Sequence, residues 1–155
     1  MAKRYLVKSI TTLIIFSVAV IAAAAYFLFS EALSGVAFLI LGLAGLGISS
    51  LVKIEMKSIY PDIVFGLIDN GILVFSAVLG GIYGGIAGAV IGGVAGNTIT
   101  DGIGGIFEGI IVEKQKADKL KYDRNSFSTM IGKVIGCLIG AGIGLLLIEL
   151  TRWIF

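Results

Sequence analysis

Apolar stretches and short polar breaks alternate along the chain in a pattern that predicts five helices. The first apolar run covers residues 5–29 and stops at Ser30 and Glu31. The second covers 33–52 and is followed by a charged connector, residues 53–61, ending in the only proline, Pro61. Residues 62–115 then form one long stretch, almost wholly apolar and dense in glycine. One membrane crossing takes roughly 20 residues, so this stretch is too long for one crossing and right for two. It predicts a glycine-rich central hairpin, with helices over 62–87 and 89–112, around which the rest of the chain is organised. Residues 113–128 are polar and rich in lysine, and the beginning of that segment extends the preceding helix past the membrane. A fifth helix is expected over 130–153. Pro61 suits a first helical turn, and Asp62 beside it suits a helix N-terminus.

Composition turns this pattern into a class. Of 155 residues, 57% are hydrophobic and 14% charged, and the mean hydropathy is +1.06. The expectation is an all-α, polytopic integral membrane protein of one domain, residues 1–155, in contact with the lipid bilayer. The net charge of +2 comes from lysines flanking the apolar runs, so no nucleic-acid surface is expected. With no His and one cysteine, Cys137, one chain builds neither a disulfide framework nor a His/Cys metal cluster. A metal site would need oxygen ligands or the thioethers of Met1, Met56 and Met130. Lys3, Arg4 and Lys8 before the first apolar run imitate a signal peptide. The run is longer than a typical signal core, so a retained first helix is expected.

Charge placement fixes an expected orientation. Lys3, Arg4, Lys8, Lys53, Lys57 and the basic residues of the 113–128 loop fall on one side of a five-helix arrangement. Lys133 reaches the same side, and Arg152 falls on the other. The positive-inside rule puts the N-terminus and the 113–128 loop in the cytoplasm and the C-terminus outside.

Glycines recur every fourth residue. Gly80, Gly84, Gly88, Gly92 and Gly96 form one ladder, and Gly132, Gly136, Gly140 and Gly144 another. Small residues at this spacing let helix backbones approach closely. Plain close packing accounts for them. They also suit a homodimer seam.

Polar groups inside the central stretch carry the candidate chemistry. Asn97, Asp101 and Glu108 are spaced by four and seven residues, which places them on one face of a helix. Asp69 lies on the preceding helix, with Asn70 and Ser76 near it, and Asp69 and Asp101 are expected to face each other. A carboxylate within a membrane helix marks a functional site by default. Asp69, Asp101, Glu108 and Asn97 together make a hard oxygen set suited to divalent cations or protons. Two such carboxylates repel unless one is protonated or metal-bound. Each residue also has a plain reading. Asp101 and Asn97 could only bond neighbouring helices, and Glu108 could only reach headgroups.

At these residues the chain resembles the vacuolar iron transporter family of Fe²⁺/Mn²⁺ carriers. Residues 62–71 read DIVFGLIDNG, beside a family pattern like D-[IV]-[IV]-F-G-x-x-D-G. Residues 95–109 read AGNTITDGIGGIFEG, beside A-G-x-A-N-x-x-A-D-x-x-S-M-x-x-G-E-Y. The resemblance covers about a third of the chain. It implies that Asp69 and Asp101 are transport-path aspartates and that Glu108 approximates the family's glutamate. Asn70 interrupts the D-G pair, Glu108 falls one residue early, and the methionine is replaced near Gly105. The family's acidic metal-binding helices have no counterpart in residues 113–128.

The expected function is transport of divalent metal cations through intramembrane carboxylates, proton-coupled, by a homo-oligomer of the dimer type. Fe²⁺ or Mn²⁺ would be the substrate, with no permanently bound cofactor. The alternative is a non-transporting scaffold or assembly protein that packs through its glycine faces. A third reading is a proton-translocating element. No nucleophile motif or reactive cysteine setting points to an enzyme.

Overall fold

The computed structural model describes the backbone of residues 2–30, 34–118 and 124–154. It is all-α: α1 spans Ala2–Ser30, α2 Ser34–Leu51, α3 Met56–Asp118 and α4 Ser126–Ile154. Each contains a stretch long and apolar enough to cross a membrane.

The two expected central helices belong to one helical run of 63 residues. Its regular backbone breaks at Gly85, with φ 59° and ψ −146°. Only glycine adopts that conformation without strain, so the change of direction falls at Gly85 and not near Gly88. Residues 56–84 form the first arm of α3 and residues 86–118 the second. The arms lie against each other. A Cβ placed on Gly88 or Gly92 would strike the carbonyl of Gly80 or Ser76, and one on Gly96 would strike the Ser76 side chain. Farther from the bend, Gly104 makes room for the Phe65 ring. Backbones this close gain dispersion contacts along their length, the main attraction between helices in lipid.

The centre of the packing is α4, not the central stretch. Its glycine ladder faces the first arm of α3. Gly132, Gly136 and Gly140 touch the backbone at Ile59, Ile63 and Leu67, and Gly144 lies against Val74. Another flank of α4 meets α2, whose Gly35, Gly42 and Gly45 accept Leu146, Ile139 and Ile135. The buried apolar side chains among the described residues, Ile59, Ile131, Ile135 and Leu138, cluster on and around α4. By contrast α1 leaves most of its large side chains exposed, including Ile14, Ile15, Val18 and Ile21.

Both ends of the α2–α3 connector are capped. The amides of Ile54 and Lys53 bond back to the carbonyls of Ser49 and Ser50, at 2.9 and 3.0 Å. This is a Schellman closure, with Lys53 rather than glycine in the left-handed position, φ 58°. α3 begins at Met56, so Pro61 lies inside it and Asp62 is not its cap. The early turn forms because Ser58 and Ile59 are buried, with Ser58 donating to the Glu55 carbonyl. Pro61 loses one backbone bond near the helix end, where the loss matters least. Likewise α4 starts at Ser126, ahead of the expected Met130. Asn125 Oδ1 accepts from the amides of Phe127 and Ser128 at 3.0 and 3.1 Å, and Ser128 Oγ accepts from the Asn125 amide. This reciprocal cap fixes the first turn.

Candidate functional site

The intramembrane carboxylates do not converge; each has a separate setting. Asp69, on the first arm, bonds Thr100 of the second. Thr100 is fully buried, and its hydroxyl also lies 3.1 Å from the Gly96 carbonyl and 3.0 Å from that of Asn97. A hydroxyl has one hydrogen, and given to Asp69 it ties the arms together midway along their contact. Asp69 was expected to face Asp101. It faces Thr100 because adjacent helical residues point about 100° apart, and Thr100 takes the inward position.

Asp101 is exposed. Its Oδ2 accepts from Asn97 Nδ2 at 2.8 Å, one turn back on the same arm. Gly102 and Gly105 have no neighbouring atoms where a side chain would begin. The face carrying Asp101 therefore has small neighbours and open space beside it.

Glu108 is exposed and pairs with Lys133 of α4. The Lys133 ammonium also lies 5.0 Å from the centre of the Phe65 ring, within cation–π range. Lys133 was expected to reach out to the membrane surface; instead it links α4 to both arms of α3. Glu108 is thereby charge-matched within the chain.

Two further polar links escaped the reading of the sequence. Asp62 Oδ1 accepts from Arg124 Nη2 at 2.7 Å, with side-chain exposures of 3% and 11%. Arg124 was expected to be solvated in the loop, but it anchors that loop to α3. The pair meets at one point: Asp62 Oδ2 and Arg124 Nε are buried without a hydrogen-bond partner among the described residues. Asn70 Nδ2 donates to the Cys137 carbonyl at 3.1 Å, so the residue that interrupts the D-G pair fastens α3 to α4. Adjacency to Asp69 hinted at the second link; nothing in the local pattern revealed the first.

Among the described residues, no group of three or more His, Cys, Asp or Glu side chains could hold a metal ion. Asp69, Asn97, Thr100 and Asp101 supply oxygen donors around one turn of the second arm, as two separate pairs. Hard cations take six or more oxygens, so neither pair alone is a closed site.

Four helices long and apolar enough to cross a membrane, packed around α4, define the class: a multi-pass helical membrane protein. No family model, curated protein or solved structure matches the chain. The likeness to the vacuolar iron transporters therefore rests on the residues quoted above alone.

Proposed function

We propose that the chain is a small membrane transporter of divalent cations. In this reading α3 crosses the bilayer once with each arm as a glycine-packed hairpin. The chain then makes five crossings, with its N-terminus in the cytoplasm and its C-terminus outside. Asp101 carries the argument. It is exposed, bonded among the described residues only within its own helix turn, and flanked by glycines with open space beside them. An aspartate at the centre of a membrane helix costs about 3 kcal/mol on insertion scales and faces protein or water, not lipid. A second copy of the chain, seated on the Gly102 and Gly105 face, would cover it. Two Asp101–Asn97 pairs would then line the seam and complete an oxygen set that one chain leaves open. Asp69 and Thr100, on the inner flank of the same turn, would form the second station. Glu108 leaves the cation set in this version, because Lys133 already holds it. Fe²⁺ and Mn²⁺ are the first substrates to test, by the resemblance of residues 62–71 and 95–109. No enzymatic role is part of this reading.

The scaffold reading is favoured by the absence of a three-carboxylate cluster among the described residues. Flux measurements separate the two. Proteoliposomes are loaded with a pH dye and challenged with Fe²⁺, Mn²⁺, Co²⁺ and Mg²⁺. Transport predicts metal entry coupled to proton movement, abolished by Asp101→Asn and by Asp69→Asn in protein of unchanged helicity. Folded protein that passes none of these ions refutes the transporter and leaves the scaffold.

A further inference from the structure

The two arms of α3 do not close along their whole length. Near their termini a cleft of about 280 Å³ opens between them. Val64 and Ile68 line it from the first arm, and Ile103, Phe107 and Ile110 from the second. Glycines hold the arms together nearer the bend, whereas bulky side chains prop them apart at the cleft. Thr100 at the inner end is already engaged with Asp69. Tyr60 and Lys114 stand at the outer rim, both exposed. Among the described residues, Lys114 is the one charged residue in the lining, and no carboxylate lines the cleft.

We infer that this cleft is a binding site for an anionic phospholipid, with an acyl chain between the arms and the phosphate at Lys114. The inference needs both arms in the bilayer but is independent of whether the chain transports ions. The chemistry is directional. The wall is apolar along the depth of the cleft, which suits hydrocarbon, and a cation follows at Lys114, just past the apolar run that ends with residue 112 in the sequence. That level is where headgroups begin. A lysine close to an anionic headgroup favours it over a zwitterionic one by about fivefold. Tyr60 adds a hydroxyl at the same level, able to donate to the phosphate or glycerol oxygens.

The test uses the full chain with its only tryptophan moved to the cleft, Trp153→Phe with Ile110→Trp. Ile110 is exposed at 45%, so the larger ring needs no space in the core. The protein is reconstituted in phosphatidylcholine vesicles and titrated with tail-brominated phosphatidylglycerol or tail-brominated phosphatidylcholine. Half-maximal quenching is expected at about fivefold lower mole fraction of the anionic lipid. Adding Lys114→Gln should bring the two curves within about twofold of each other. Identical curves before that change overturn the proposal, as does a preference that survives it, which would assign the lipid to other lysines. Absence of quenching by either lipid also overturns it, because the cleft is then closed to lipid. Native mass spectrometry of the unlabelled chain provides an independent reading. It should retain phosphatidylglycerol over phosphatidylcholine, and Lys114→Gln should lose that difference.

Discussion

The contact between α4 and the first arm of α3 makes a quantitative prediction at Gly136. A Cβ built there would sit 2.9 Å from both C and Cα of Ile63, and closer still to the carbonyl oxygen. Carbon atoms rest at roughly 3.5–4.0 Å, so the helices must part by about 1 Å. No rotamer relieves the clash, because the obstructing atoms are backbone. Overpacking of this kind costs about 1–3 kcal/mol, while alanine gains about 1 kcal/mol of helix propensity over glycine. Gly136→Ala should therefore be destabilising by up to about 2 kcal/mol, and Gly136→Leu by more. Gly140 repeats the geometry against Leu67. Once the helices have parted for one Cβ the second has room, so the double alanine variant should cost less than the sum of the singles. Gly47 is the control. It is exposed on α2 with nothing within 4 Å, so Gly47→Ala should be neutral or stabilising by up to about 1 kcal/mol. Reversible unfolding in bicelles, followed by steric trapping, measures all five variants, the Gly140→Ala single included. Gly136→Leu as stable as the parent, with Gly47→Ala neutral, would refute the close approach of α4 and α3.

Three other changes have definite expected outcomes. Lys53→Gly removes a side chain from a left-handed position and should stabilise the α2 terminus by about 1 kcal/mol, read by the same unfolding assay. Asp62→Asn or Arg124→Met each strands a buried charge and should cost about 3–5 kcal/mol. The double variant should recover much of that, in a cycle that isolates the pair. Gly105→Leu adds bulk where the single chain has open space. It should leave the unfolding energy of the isolated chain nearly unchanged but weaken self-association, measured by energy transfer between labelled copies in vesicles.

The extent of the apolar runs was legible because burial in lipid selects for long uninterrupted hydrophobic sequence. α1 and α2 accordingly run close to their expected bounds. The α3 and α4 N-termini were less legible. Pro61 reads as a first-turn residue, yet Ile59 has a packing partner in α4, and burial draws the helix back to Met56. The glycine ladders revealed close packing without revealing which rungs are packed. Gly136 and Gly140 press on backbone, whereas Gly84 and Gly105 touch nothing. Spacing within one helix is blind to that difference, because it depends on the register of the facing helix. The ion pairs were hidden for the same reason. Glu108 and Lys133 are 25 residues apart, and Asp62 and Arg124 are 62 apart. Each pair exists only once α4 has docked against α3. The sequence pattern therefore placed polar groups along helices correctly but assigned Asp69 the wrong neighbour.

That reassignment narrows where function can reside. Asp62 is held by Arg124 and Glu108 by Lys133, so two of the four carboxylates on α3 up to residue 108 serve packing with a partner of opposite charge. Asp69 and Asp101 have no such partner among the described residues; their bonds are to a hydroxyl and an amide. Neutral donors orient a carboxylate without cancelling its charge, which leaves it able to bind a cation. The two differ in access. Asp69 lies between the arms, tied to a fully buried threonine, while Asp101 is on the open face. They bond to Thr100 and Asn97, which lie within one turn of each other on the second arm, so a displacement of that arm acts on both. The second arm meets the first through glycines and one inter-arm hydrogen bond, and it meets α4 through an exposed ion pair. Asp101 is thus the carboxylate that a partner or ion can reach without the arms moving, whereas access to Asp69 requires the Thr100 bond between the arms to give way.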